Sequence, residues 1–221
     1  MAEWEGEALG RLRQGLYRLF AASFLYPEEG RLAILVDTVK RLDQDYLAQF
    51  AFHNSWMRLR CALQREATVT GLETEYVRLF SAGPSGPLCP PHESSYVTLP
   101  GQPASLSLIE LEREYARFGL TLPSDYENLP DHVSVEMEAM ASLCGKEAMA
   151  WKDGNARSAR RLLEDERRFI ERHLGSWFPM FAGNVRRETR DIFYATIAEA
   201  ADAFVRHDVD LVQVLTREVA V

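Results

Sequence analysis

At 221 residues the chain can form one large domain or two small ones, and 47% hydrophobic residues suffice for a sizeable core. A mean hydropathy of −0.23 with 26% charged residues excludes a disordered chain and predicts a soluble globular protein. The net charge of −8 argues against general nucleic-acid binding, which needs a basic footprint, and suits a basic partner instead.

The N-terminal MAEWEGEALG is acidic and reads as neither a signal peptide nor a transit peptide. Leu9, Leu12, Leu16, Leu19, Phe20 and Phe24 then recur at three- and four-residue steps and predict a helix that Pro27 ends. Leu32, Leu35, Val36, Val39 and Leu42 make a second helical stripe, and Leu47 to Leu63 predicts a third helix. Thr70 followed by Glu73 has the form of a capping box opening a short helix through Phe80.

That helix runs into the most unusual part of the chain. Six of the ten prolines (Pro84, Pro87, Pro90, Pro91, Pro100 and Pro103) fall between residues 82 and 104. Each fixes its own φ, lacks an N–H donor and drives the preceding residue out of the helical region. A connection of this length without regular structure is uncommon inside a compact domain unless it works, and its Leu, Tyr and Phe content predicts order. Beyond it, Leu106 to Phe118 reads as a helix stopped by Gly119. Asp131 is placed to cap the next helix, whose Val133, Met137, Met140, Ala141 and Cys144 share one face. Helices over about 156–173 and 187–206 follow, with a short one after Asp208. No stretch alternates as a strand does. The expected fold is therefore all-α: a single domain over 1–221, an irregular up-down bundle whose halves are joined by the loop at about 82–104.

The longest apolar runs fall short of the roughly 18 residues that cross a bilayer, so no integral membrane segment is expected. Cys61, Cys89 and Cys144 are odd in number and irregular in spacing, which fits free thiols in a reducing cytoplasm. Glycine-rich nucleotide loops, the GxSxG elbow, HExxH and ExxH are all missing. Cys89 and His92 stand in CxxH spacing, but no second ligand pair supports a zinc site. No cofactor, metal or catalytic group is expected. The interleaved charges from Lys152 to Arg172 read as a solvated helix face.

Two groups carry more. Asp131, His132, Glu136 and Glu138 cluster at a helix start, either as an Asp131 cap with Glu136 and Glu138 exposed or, for Asp131, His132 and Glu136, as an acidic corner that accepts a guanidinium in a bidentate fork. Tyr76, Leu79, Phe80 and Tyr96 flank the loop, either as core anchors or as the wall of a binding groove.

Three blocks in order then resemble one family. EYVRLFSAGPSGPLCPPHESSY, EYARFGLTLPSDYENLPDHVSVEMEAMASL, and HLGSWFPMFAGNV with IFYATIAEAADAF are similar to the signatures of the TorD/DmsD/NarJ redox-enzyme maturation chaperones, from about Glu75 to Phe204. The resemblance implies an all-helical, non-enzymatic cytoplasmic protein. Such a protein binds the twin-arginine leader, the apo-form, or both, of a molybdenum-cofactor oxidoreductase, and holds it until cofactor insertion and assembly precede export. It also implies leader recognition at Asp131 and His132 beside Glu136, with Tyr76, Leu79, Phe80, Pro91, Ser94 and Tyr96 as the supporting wall. Monomer and domain-swapped homodimer both fit. Two readings from other classes stay open: a small-molecule binder or hydrolase using His132 as general base, and a permanent adaptor subunit.

Overall fold

The computed structural model describes residues 3–42, 44–63, 69–83, 86–97, 104–122 and 128–218. These form helices α1 (Glu3–Ser23), α2 (Glu29–Arg41), α3 (Gln44–Leu47), α4 (His53–Leu63), α5 (Val69–Tyr76), α6 (Ala104–Arg117), α7 (Val133–Lys152), α8 (Ala156–Arg172), α9 (Leu174–Glu188) and α10 (Ile192–Glu218). A π turn, Val77–Ser81, prolongs α5, and a 3-10 turn, Glu93–Ser95, lies within the proline loop. Among the described residues there is no strand, only an isolated antiparallel bridge between His92 and His132. The fold is all-α, as the periodicity predicts. Within the same residues no helix is long and apolar enough to cross a membrane.

Helix α7 is the axis. Val133, Met137, Met140, Ala141 and Cys144 are buried on it, but so are Val135, Leu143, Ala148 and Trp151, so it is enclosed on nearly every side. Small residues let α1 approach closely. A Cβ on Gly10 would sit 3.0 Å from the Ala148 Cβ and 3.1 Å from the Cys144 carbonyl oxygen. Helix α8 packs on another side of α7, and α10 packs against α9 and α4. Aromatic rings fill the centre: Phe24 meets Phe181 at 5.3 Å, and Phe80 meets Phe181 at 5.9 Å and Tyr194 at 5.6 Å between centroids.

One polar knot fastens four helices inside this core. Arg13 of α1, fully enclosed, places Nε 2.6 Å from Asp208 Oδ1 of α10, Nη2 2.6 Å from Glu166 Oε2 of α8 and Nη1 3.1 Å from Glu147 Oε2 of α7. The Tyr17 hydroxyl donates to Asp208 at 2.6 Å, and Trp151 Nε1 donates to Glu147 at 2.7 Å. One guanidinium faces three carboxyls. Burial outweighs Arg13's attraction and pushes the Glu166 carboxyl up to about 8.

Several expectations are corrected. The helix predicted over Leu47 to Leu63 begins only at His53, after the short α3 that ends at Leu47, because Phe50 and Phe52 both pack on His207, at 5.2 and 5.5 Å. Residues two apart face opposite sides of a helix, so the chain must turn there instead. Helix α9 is absent from the expectation: Gly175, Pro179 and Gly183 argue against helix locally, yet Trp177, Phe178 and Phe181 are wholly buried on it and packing prevails. Helix α10 continues through Asp208, whose carboxylate is engaged by Arg13 rather than by a new helix start. Helix α1 stops at Ser23, ahead of Pro27. Helix α5 already includes Val69, so Thr70 is not its cap; the Thr70 side chain, like Pro84, Pro100 and Pro103, lies outside the described residues. Glu166 is buried rather than solvated, the exception on an otherwise exposed charged face.

Candidate functional site

The proline loop and the start of α7 meet in space. The Val133 N–H donates to the Pro91 carbonyl at 2.9 Å, and the Glu93 N–H to the Asp131 carbonyl at 3.0 Å. Helix α6 holds the same segment from the other side, its Tyr115 hydroxyl donating to the Pro130 carbonyl at 2.9 Å. Prolines at 90 and 91 keep the loop extended, which leaves carbonyls free to receive these bonds.

Asp131 is not the helix cap. His132 takes that place: its Nδ1 accepts from the Ser134 N–H at 3.2 Å and lies 2.6 Å from the Ser134 hydroxyl. Asp131 instead reaches back to the loop, 3.1 Å from His92 Nδ1 and accepting from the Ser94 N–H at 3.1 Å. Burial raises the Asp131 carboxyl, but His92 and Ser94 outweigh it and hold it below the usual aspartate range. For His132, burial and then the neighbouring His92 lower the imidazole to about 3. It is a neutral capping ring.

A second histidine, His173 at the junction of α8 and α9, ties loop to scaffold. Its Nδ1 is 3.0 Å from Glu93 Oε2 in the loop, and its Nε2 is 3.1 Å from Glu114 Oε2 on α6. Burial opposes its charge, yet the bonds to Glu114 and Glu93 raise it to about 9, so it is an imidazolium at neutral pH. Glu136 lies behind. It is wholly buried, Trp177 Nε1 donates to its Oε2 at 3.0 Å, and its Oε1 has no partner. Burial raises this carboxyl well above the ordinary range, with Glu93 adding to the effect.

Around these groups is a cavity of about 200 Å³ lined by Glu93, Ser94, Val97, Leu108, Leu111, Asp131 and His173, with Glu110 and Arg172 at one side. Carboxylates beside aliphatic side chains in the lining suit a guanidinium or ammonium on an otherwise apolar segment.

Of the residues predicted from sequence, Asp131 and Ser94 line this cavity and Pro91 supplies the stitch beneath it. His132 is enclosed at 2% exposure, and Glu136 at 0% is no exposed acid of a surface corner. Tyr76, Leu79 and Phe80 are core residues; the Tyr76 hydroxyl donates to the Phe24 carbonyl at 3.3 Å. Tyr96 is half-buried and stacks on Trp177 at 5.5 Å. Its buried hydroxyl has no hydrogen bond of good geometry, although the Asn184 side chain is near enough to favour its ionised form, and burial still lifts it to about 12. Glu93, His173 and Arg172 were missed. Glu93 lies within the quoted loop block and His173 opens the third block, so the signal was present but not joined. Among the described residues no group of His, Cys, Asp and Glu is arranged to hold a metal; Cys89 is buried, and its N–H donates to the Leu79 carbonyl at 2.8 Å.

Comparisons with known proteins agree with this architecture. Residues 41–183 match the nitrate reductase delta subunit family. The selenate reductase assembly chaperone protein of Thauera selenatis is 33% identical over 174 residues, covering 75% of this chain and 86% of that relative. The chlorate reductase assembly chaperone protein of Ideonella dechloratans is 33% identical over 172 residues, covering 73% and 84%. A crystal structure described as a redox enzyme maturation protein from Archaeoglobus fulgidus superposes with a TM-score of 0.52 at 22% identity, covering 88% of this chain and 93% of that one.

Proposed function

The chain belongs to the nitrate reductase delta subunit family, and from that premise we propose that it is an assembly chaperone for a molybdenum-cofactor oxidoreductase. In this reading it acts in the cytoplasm, binds the leader or the apo-form of the catalytic subunit, and releases it once the cofactor is in place. Two relatives named for the assembly of selenate and chlorate reductases support the client class. The observation that carries the binding mode is the cavity where the loop meets α7, lined by Asp131, Glu93 and Ser94 together with aliphatic side chains.

The energetics divide accordingly. A micromolar complex needs about 8 kcal/mol net, after association costs of at least about 4 kcal/mol. Rim ion pairs contribute about 0–1 kcal/mol each, whereas burying one apolar side chain contributes roughly 1.5–3 kcal/mol. Affinity therefore comes from apolar leader residues on walls such as Val97, Leu108 and Leu111, and the carboxylates set register.

Calorimetry with a synthetic leader carrying paired arginines tests this. Binding is expected with a negative heat-capacity change. Serine at two apolar leader positions should cost more than lysine at both arginines, which keeps charge but loses the fork. Binding that collapses with salt and ignores the apolar substitutions would refute the groove.

The hydrolase reading has little support. His132 Nδ1 is committed to the cap, its imidazole is a poor base at about 3, and Ser134 beside it is buried.

A further inference from the structure

We propose that Arg172 is a built-in placeholder: its guanidinium rests where a client arginine binds, and it swings aside on client entry. The inference rests on the function proposed above, because it names the gate of that same cavity.

Arg172 is the last residue of α8 and its side chain is 59% exposed. It lies 3.7 Å from Glu110 Oε2 and 3.9 Å from Glu114 Oε2, both too long for hydrogen bonds. The contrast with Arg13, held at 2.6 Å inside the core, is plain. Arg172 is attracted but not fastened.

Its position gives that looseness a consequence. Arg172 lines both the cavity at Asp131 and Glu93 and a neighbouring cavity of about 440 Å³ lined by Phe118 and by residues of α6 and α8. As the placeholder it stands between the two, and its rotation on client entry opens one to the other for an extended segment.

The other carboxylates near Arg172 are already committed. Asp131 is bonded to His92 and Ser94, and Glu93 and Glu114 are bonded to His173. Among the described residues Glu110 pairs with no cation but Arg172. Glu110 and Glu114, four residues apart on α6, share one helix face. An incoming guanidinium thus finds its cheapest place by exchange with Arg172. The exchange leaves the charge balance of the site unchanged and favours the forked donor over an ammonium.

The test compares Arg172→Gln with Arg160→Gln, an exposed arginine on the same helix that makes the same change in net charge. Each is titrated with an arginine-paired leader peptide, its lysine counterpart, and N-acetyl-arginine methylamide as a minimal probe. Freeing the weakly held Glu110 carboxylate should tighten the arginine peptide about fivefold in Arg172→Gln, less for the lysine peptide, and leave Arg160→Gln within about twofold of wild type. Equal or weaker binding by Arg172→Gln than by Arg160→Gln overturns the placeholder and leaves the leader reading intact. Binding of the small probe to Arg172→Gln selectively, with no peptide bound by any form, keeps the placeholder and overturns the leader reading. No preference for either ligand in any form removes both.

Discussion

Replacing His173 by Gln should remove a stabilisation that depends on pH in a defined direction. The imidazolium bridges Glu93 and Glu114 at 3.0 and 3.1 Å with only about a tenth of its side chain exposed. Its folded-state value of about 9 stands above the ordinary 6.5, so the native state holds the proton more tightly than the unfolded chain does. The resulting stabilisation is complete below pH 6.5 and is lost as pH rises through about 9. At about 1.4 kcal/mol per unit, this amounts to about 3 kcal/mol. Glu166, raised to about 8, also makes stability fall with rising pH, but it is present in both proteins and cancels in the difference. Urea unfolding of wild type and His173→Gln at pH 6 and pH 10 gives that difference directly. The gap should be about 3 kcal/mol larger at the lower pH, and the His173 imidazole should titrate near 9 by NMR. A gap that does not change with pH, or an imidazole titrating near 6.5, would refute the proposed bridge.

Three further outcomes are expected. Arg13→Met leaves Asp208, Glu147 and Glu166 without their shared cation and should cost about 3–5 kcal/mol by denaturant unfolding, because an uncompensated buried charge remains. His132→Asn keeps a side-chain cap but removes a ring whose value is depressed to about 3; the loss of stability that sets in as pH falls below 6.5 should therefore flatten in acid melts. Gly10→Ala puts a Cβ 3.0 Å from Ala148 and should cost about 1–3 kcal/mol in thermal melts, as α1 is forced away from α7.

Most of the fold was legible because the burial of α1, α2, α6 and α7 follows a helical period in apolar residues. The part that was not legible depends on distant partners. Phe50 and Phe52 break a helix to reach His207, and Trp177 with Phe181 sustains α9 across Pro179. Neither can be read from a local window. At the site, the sequence pointed to Asp131, and the structure places it in the cavity with Ser94. Glu136 looked like an exposed helix-start acid, yet it lies on the buried side of α7, whose exposed stripe runs through Glu138, Lys146, Met149 and Lys152 instead. Tyr76, Leu79 and Phe80 sit close to the loop in sequence but are buried: Phe80 meets Phe24, Phe181 and Tyr194, with Tyr76 packed against it. His173 opens a quoted block but could not be joined to the site, because its partners Glu93 and Glu114 are 80 and 59 residues away.

The claim that this chain assembles an oxidoreductase is tested most directly by affinity purification from its own host, with molybdenum withheld and then restored. The account predicts that an oxidoreductase catalytic subunit copurifies in its apo-form while molybdenum is withheld and leaves the complex once the metal is restored. Retention of the chain in the mature, cofactor-loaded enzyme would make it a permanent subunit, and recovery of no oxidoreductase under either condition would contradict the account outright.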